Sequence, residues 1–550
     1  MNIRIKLLAT VAASSLLASA GHAAPAKKHH TRKAHPAAAS ANHELLEEVR
    51  ALRAQVESLQ AKVDTQGSAQ TATQDQIQST QSQVQAVQAK VDATQTQVAA
   101  VPGQVTKQVD ASIDKARHAD KFYFKGITIT PGGFLELAGI YRQHFMANDI
   151  ATGFNSIPFP NSRVGHEAEG RFSARQSRVS FLAEGMVKPT IKLSMYGEFD
   201  FQGAAQTANS NESNSYNPRI RNLYGTIDWS NADSGLHLLA GQNWSLVTMN
   251  AKGITPRNEL TPPQIDAQYI PGFAWTRTPQ VRVTGDFLNH QLWVAVSAEN
   301  PQTTVGGTVP STVTYNTTGG SGFNSANSLS TNHVPDFVGK VAYETVVGGH
   351  GVHMEAFGIY RQFDAHLSTG QNESTHGTGY GGGITLQVIP KVLDLQGSAM
   401  HGRGIGRYGS SQLPDVTFTP TGAIAPLEET MVLFGGTLHA TPMLDIYGFG
   451  GGEWTDYRSY AAVAGTIYGY GNPLLNNSGC LIEGGTCNGN SRVVRQLTAG
   501  VWEKIYQGPF GRAQIGFQYS YTDRTLFAGV GGAPKAKQNM GFVSFRYYPF

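Results

Sequence analysis

The segment GRAQIGFQYSYTDR, residues 511–524, alternates between apolar and polar side chains along most of its length. The apolar and aromatic positions are Ala513, Ile515, Phe517, Tyr519 and Tyr521. The polar positions are Arg512, Gln514, Gln518, Ser520, Thr522 and Arg524. Because successive side chains of a β-strand point to opposite faces, this period predicts a strand with one apolar and one polar face. Residues 189–202 and 134–146 repeat the pattern, so we expect β-structure from residue 121 onward.

The lengths of the predicted connections distinguish two kinds of β-structure. In a soluble sandwich the apolar face of a strand points into a core, whereas in an outer-membrane barrel it points to lipid. We predict sixteen strands, at 134–146, 171–187, 189–202, 217–230, 235–246, 275–287, 290–299, 335–346, 351–363, 378–389, 392–403, 429–440, 442–456, 492–506, 510–524 and 540–550. Their connections alternate between short turns and long loops, which is typical of outer-membrane barrels. The sequence therefore predicts an all-β transmembrane barrel of about 16 antiparallel strands over residues 121–550, with both barrel ends on the short-turn rim.

The residues before the barrel divide into three parts. Residues 1–24 have a basic start, an apolar stretch and small residues at their end, which predicts a secretory signal peptide. Residues 25–43 are basic and low in complexity, and we interpret them as a linker. Residues 44–118 carry apolar residues at alternating spacings of four and three, the pattern of an N-terminal α-helical coiled coil. Such a stripe needs partner chains, and the Val and Leu mixture of its first half favours a dimer.

Composition and cysteine content exclude several classes of function. The formal net charge is only +3 over 550 residues, so nothing indicates nucleic acid as a partner. The chain has neither a GxSxG elbow nor an HExxH pair, so we expect neither enzyme activity nor a cofactor. The two cysteines, Cys480 and Cys487, are predicted to form a loop disulfide. A metal pair is the less favoured alternative, because no His or further Cys nearby completes four ligands. No later stretch is long and apolar enough to predict a transmembrane helix.

Four segments of the first half resemble one family of membrane channels. They are FSARQSRVSFLAEG (172–185), RIRNLYGTIDW (219–229), LLAGQNWSLV (238–247) and RTPQVRVTGDF (277–287), which are similar to DcaP-like trimeric outer-membrane porins. The resemblance implies a homotrimer embedded in outer-membrane lipid and lipopolysaccharide, with a periplasmic coiled coil. It also implies passage of small anionic solutes such as dicarboxylates. The trimer that it implies replaces the dimer favoured by the start of the coiled coil.

A wide barrel needs a constriction to select its solutes. The loop after the fifth predicted strand, 247–274, is rich in proline, and in sixteen-stranded trimeric porins this loop folds inward. Basic residues cluster on and around it, and we expect some of them to bind carboxylates there: Arg175, Arg178, Arg221, Arg257, Arg277 and Arg282. Arg178 and Arg282 lie on the polar face of their predicted strands. Arg221 lies on the same face as the apolar Leu223, so its pore-facing role rests on the resemblance. The alternative for any of these arginines is pairing with a carboxylate of the wall.

Three other functions stay open from the sequence. A phosphate-selective porin has the same general layout, and a general or sugar porin would need aromatic residues in a row along the lumen. An envelope tether is the third, because the coiled coil could span the periplasm and the basic KKHHTRK stretch could contact peptidoglycan.

Overall fold

The computed structural model describes residues 121–203, 217–314 and 332–550, together with 79, 81–82, 84–92 and 94. The predicted signal peptide, the linker and most of the predicted coiled coil lie outside the described residues. The described residues among 79–94 are helical, and Val84, Val87 and Val91 are exposed on that helix. Within the described residues, no helix is both long enough and apolar enough to cross a bilayer.

Sixteen long antiparallel strands, all within the described residues, form the wall of residues 121–550. They are β1 (Ile127–Arg142), β2 (two segments, Glu169–Ser173 and Arg178–Lys188), β3 (Ile191–Asp200), β4 (Arg219–Ser230), β5 (Gly235–Trp244), β6 (Arg277–Phe287), β7 (Leu292–Glu299), β8 (Asp336–Val347), β9 (His350–Leu367), β10 (Asn372–Ile389), β11 (Leu393–Arg403), β12 (Glu428–His439), β13 (Leu444–Thr455), β14 (Ser491–Gly508), β15 (Gly511–Leu526) and β16 (Lys535–Tyr548). Each strand pairs with the next, and β16 pairs with β1, for example Phe545 with Leu137. The sheet is therefore a closed barrel, as the sequence predicts, and closure leaves no unpaired edge.

The two faces of the wall differ in chemistry as the two-residue period predicts. On β15, Phe517 and Tyr519 are more than half exposed on the outside, whereas Gln518, Ser520 and Thr522 are buried on the inside. The alternation continues on other strands, where the apolar residues Phe434 and Leu497 are more than 60% exposed. An apolar outer surface around a polar interior is the arrangement that a bilayer requires of a barrel.

The connections follow the predicted alternation except at one place. Short turns join β2 to β3, β4 to β5, and so on around one rim, whereas longer loops occupy the other rim. The prediction of a long loop at 364–377 is wrong, because β9 and β10 continue as a hairpin to a short turn at 368–371. The predicted strand 171–187 is interrupted at 174–177, where Arg175 lies between its two segments.

Short strands and 3-10 helices lie outside the sixteen long strands. Short strands are Phe122–Phe124, Val313–Thr314, Val416–Phe418, Ile424–Pro426, Arg458–Ser459 and Gly469–Tyr470. Short 3-10 helices span Phe154–Ser156, Arg163–His166 and Gly406–Tyr408. Loop 456–490 contains a disulfide between Cys480 and Cys487, and Cys480 packs among the buried residues Ile157, Phe159 and Leu526.

Candidate functional site

The loop between β5 and β6, residues 245–276 and here called L3, folds into the barrel as predicted. Its residues Ile254, Ile265 and Ile270 are almost fully buried. At its start, the buried ammonium group of Lys340 on β8 donates to the carbonyl oxygen of Thr248 at 2.8 Å and to the side-chain oxygen of Asn250 at 2.9 Å. L3 is therefore attached to the wall that lies beyond its own two strands.

The second half of L3 is attached to a different part of the wall. The backbone N–H of Ile265 donates to the side chain of Gln518 on β15 at 2.6 Å, and Trp502 on β14 donates to the carbonyl of Pro263 at 2.8 Å. Gly272 has a φ of 90°, and a Cβ there would lie 2.0 Å from the carbonyl oxygen of Val432, so this close approach requires glycine. Because L3 is fixed at both ends and crosses the interior, it narrows the channel.

L3 and the strands beside it enclose a polar cavity of about 160 Å³. Its lining comes from β2 to β5 and from L3: Arg178, Tyr196, Glu198, Arg221, Asn222, Asn243, Trp244, Arg257, Glu259, Thr261 and Tyr269. Three of the six predicted arginines meet in this cavity, and a fourth, Arg277, lies beside it over the ring of Trp244 at 5.1 Å. We call Arg178, Arg221, Arg257 and Arg277 the arginine cluster.

Arg221 is the most firmly held member of the arginine cluster. Its Nε donates to Glu198 at 2.5 Å, and its Nη1 donates to Asp200 at 3.1 Å. The ladder between β3 and β4 shifts register here, because Glu198 pairs with Asn222 while the next residue, Phe199, pairs with Ile220. This bulge turns Arg221 inward although its phase in the sequence is that of the apolar face.

The other members of the cluster are less neutralised. Arg178 approaches Glu198 only to 3.9 Å, and its guanidinium lies over the ring of Phe134 at 5.2 Å. Arg257, on L3, is exposed and lies over the ring of Tyr196 at 5.6 Å. In Arg178 the Nε and in Arg277 the Nη1 are buried donors without an acceptor among the described residues. Unsatisfied donors of this kind mark positions where a bound anion or water completes the hydrogen bonds.

The pKa of Tyr269 reflects the positive charge of the arginine cluster. Burial would raise the pKa of its hydroxyl, but the charges of Arg221, Arg178 and Arg277 outweigh burial and lower that pKa below its ordinary value. The residue has a φ of 65°, a conformation that costs a non-glycine residue about 1–3 kcal/mol. Rings of Trp275 at 5.5 Å and Phe273 at 5.1 Å hold it in place.

Glu259 is the second carboxyl group that lines the cavity. It belongs to L3, and burial raises the pKa of this carboxyl above its ordinary value, although the charge of Arg282 opposes the shift. Its Oε1 is buried without a donor among the described residues. The negative charge of Glu259 therefore offsets the arginine cluster only in part.

Two of the predicted arginines lie outside the cavity and are bonded to the protein itself. Arg175 pairs with Asp149 at 2.9 Å and donates to the carbonyl oxygen of Phe201 at 3.1 Å. Arg282 is buried, donates to the side chain of Gln280 at 3.1 Å and also donates to the carbonyl oxygen of Trp244. The structure thus brings together Arg178, Arg221, Arg257 and Arg277, and gives Arg175 and Arg282 bonds that fix loops and strand ends.

Sequence reasoning missed the residues that complete this site. Glu198 has the polar phase of β3, so its inward direction could have been read, but its position beside two arginines could not. Tyr269 and Trp244 looked like ordinary aromatic residues of a loop and a strand end. In the described parts of the chain, no group of three or more His, Cys, Asp or Glu side chains is arranged to hold a metal ion.

Comparison with known proteins identifies the fold. No family model and no curated protein sequence matches this chain. The crystal structure of the outer membrane channel DcaP of Acinetobacter baumannii matches 78% of this chain and 99% of its own, with a TM-score of 0.56 and 20% sequence identity. An anion-selective porin from Comamonas acidovorans matches 77% of this chain and 99% of its own (TM-score 0.40, identity 12%). OprB of Pseudomonas putida matches 76% and 94% (TM-score 0.42, identity 9%). The similarity to DcaP confirms, at the level of the fold, the resemblance seen in the sequence.

Proposed function

We propose that this chain is a bacterial outer-membrane channel for passive uptake of small anionic solutes, among which dicarboxylates and related organic acids fit best. The observation that carries the proposal is the arginine cluster beside L3, where three guanidinium groups line a cavity and a fourth lies next to it, while the carboxyl groups of the lining are Glu198 and Glu259. A local excess of positive charge in a narrow passage attracts anions and repels cations. The channel needs no catalytic step.

The chemistry of the cluster favours carboxylates. A guanidinium group stays charged and donates two parallel hydrogen bonds to the two oxygens of a carboxylate. The cavity of about 160 Å³ has room for roughly five water molecules, at about 30 Å³ each. A space of this size admits a small organic acid, and the phosphate, general and sugar porin functions are the alternatives that the experiment must distinguish.

Location and assembly are part of the same proposal. The closed wall with apolar residues outside and polar residues inside supports insertion in a bilayer, and the DcaP structure of the same fold is described as an outer membrane channel. We infer an outer-membrane homotrimer in contact with lipid and lipopolysaccharide, with residues 44–118 in the periplasm as a coiled coil. Contact of the basic linker with peptidoglycan is a secondary proposal.

Planar-bilayer recording tests the proposal directly. In a salt gradient, the reversal potential of the wild-type channel should show preference for anions, and succinate should reduce the chloride current. Arg178→Gln should lower the ratio of anion to cation permeability by about fivefold, which corresponds to about 1 kcal/mol for one charge in a partly hydrated site. Glu198 keeps Arg221 as its partner in this variant, so we expect folding to be unaffected.

The matched control is Arg492→Gln, which removes the same charge from an exposed residue at the start of β14. It should leave both the reversal potential and the succinate effect unchanged. A wild-type channel without preference for anions contradicts the proposed function. Equal effects of the two variants contradict the role of the arginine cluster.

A further inference from the structure

A second pair of inward-facing arginines lies between the cavity and the short-turn rim. Arg512 is the second residue of β15, next to the short turn 509–510, and its guanidinium lies over the ring of Tyr548 at 4.2 Å. Arg546, on the neighbouring strand β16, lies over the ring of Trp502 at 4.6 Å. Neither arginine is among the pore residues predicted from the sequence.

Aromatic rings connect this pair to the arginine cluster. The ring of Phe134 lies under Arg178 at 5.2 Å and also under Arg546 at 5.0 Å. The same ring contacts the ring of Tyr548 at 5.1 Å, and Tyr548 is opposite Arg512 in the strand ladder. Arg178, Arg546 and Arg512 therefore line one continuous strip of the inner wall that crosses β2, β1, β16 and β15.

Both arginines of the pair keep hydrogen-bond donors unused. Arg546 donates from Nε to Glu136 at 3.1 Å, but its Nη2 is buried without an acceptor among the described residues. The Nε of Arg512 is also buried without an acceptor in the described part of the chain. As in the arginine cluster, donors of this kind mark positions where a bound anion or water completes the hydrogen bonds.

We propose that Arg546 and Arg512 form a second anion-binding position, through which a small carboxylate passes from Arg178 to the short-turn mouth of the channel. This inference rests on the proposed function and adds a path to it. The aromatic rings of Phe134, Tyr548 and Trp502 lie 4.2–5.0 Å from these guanidinium groups and stabilise their charge by cation–π interaction. Neighbouring weak sites lower the barrier for an anion to leave the constriction, because the anion forms contacts with the next arginine as it loses contacts with the previous one.

The test compares Arg512→Gln with the control Arg492→Gln and with Arg512→Lys, which keeps the charge. At about 0.1 M salt, where screening acts over about 10 Å, Arg512→Gln should lower the succinate conductance by about twofold. At about 1 M salt the difference should vanish, because the screening length falls to about 3 Å. The lysine variant should restore most of the conductance, since a charged group at the same place still attracts the anion.

Failure of this inference can be told apart from failure of the proposed function. If Arg512→Gln matches the control at low salt while Arg178→Gln still reduces the preference for anions, the second position does not exist. The same holds if the lysine variant conducts no better than the glutamine variant. If the wild-type channel shows no preference for anions, the proposed function itself is wrong.

Discussion

Lys340 offers the most direct test of how L3 is held across the lumen. Its ammonium group is fully buried, pairs with Glu355 at 2.7 Å and donates two hydrogen bonds to the loop, at Thr248 and Asn250. The backbone N–H of Asn250 in turn donates to Glu355 at 3.0 Å. We predict that Lys340→Met releases the first half of L3 from the wall and widens the channel.

The size of the effect follows from these contacts. Hydrogen bonds from a charged donor contribute about 1.5–3 kcal/mol each, and two of them reach L3. Removal of one partner of a buried ion pair costs about 3–5 kcal/mol. The same ammonium group makes all these contacts, so the two figures overlap and do not add. A loss of about 3–5 kcal/mol raises the population of the released loop by about a hundredfold or more, at a factor of ten for each 1.4 kcal/mol.

Single-channel recording measures the release of the loop. The wild-type channel should show a steady open level, and Lys340→Met should show a higher mean conductance with rapid transitions between levels. Loss of Lys340 leaves the buried Glu355 with His353, at 3.0 Å, as its remaining ionic partner. The double variant Lys340→Met/Glu355→Leu removes this buried carboxylate as well, so thermal stability should recover while the current stays noisy. If the folded Lys340→Met variant shows the same steady conductance as the wild type, Lys340 does not hold L3. A steady level in the double variant would assign the noise to the buried carboxylate of Glu355.

Three further predictions concern pH and the disulfide. Because the pKa of Tyr269 lies below its ordinary value, its hydroxyl should ionise as the pH rises toward 10, and the negative charge should reduce the preference for anions. Tyr269→Phe should remove this pH dependence of the reversal potential. Because burial raises the pKa of Glu259, its protonation on acidification should begin above pH 4.5 and increase the preference for anions, whereas Glu259→Gln should show that higher preference at neutral pH. Replacement of Cys480 and Cys487 by serine should destabilise loop 456–490 by about 2 kcal/mol and speed its proteolysis, whereas an unchanged cleavage rate would contradict a stabilising role.

The wall of the barrel could be predicted from the sequence because its pattern is local. Each strand residue faces either lipid or the interior, and its neighbour faces the other way, so the period alone indicates the direction of Phe517 and Gln518. The hairpin of β9 and β10 escaped this reasoning. Residues 364–377 carry few apolar side chains and therefore look like a loop in the sequence. The strand hydrogen bonds between β9 and β10 nevertheless continue through this segment, because backbone pairing does not require apolar outward side chains.

The site could be predicted only in part. Arg178 has the inward phase and reaches the cavity, whereas Arg282 has the same phase but is bonded to a backbone carbonyl oxygen. Arg221 has the wrong phase, and a bulge in β4 turns it inward. Arg257 and Tyr269 lie on L3, so their positions depend on contacts with strands far along the chain.

The period of the strands and the closure of the wall could be predicted from the sequence, because they follow from the solvent on each side of a single residue and from connection length. The loop that enters the wall was predicted from the resemblance to sixteen-stranded trimeric porins. Only the tertiary structure decided which arginines meet around Tyr269 and which are used to fix the wall. That choice depends on the pairing of Glu198 with Arg221 and on the contacts by which Lys340 and Gln518 hold L3. Contacts between residues tens to hundreds of positions apart leave no periodic trace in the sequence.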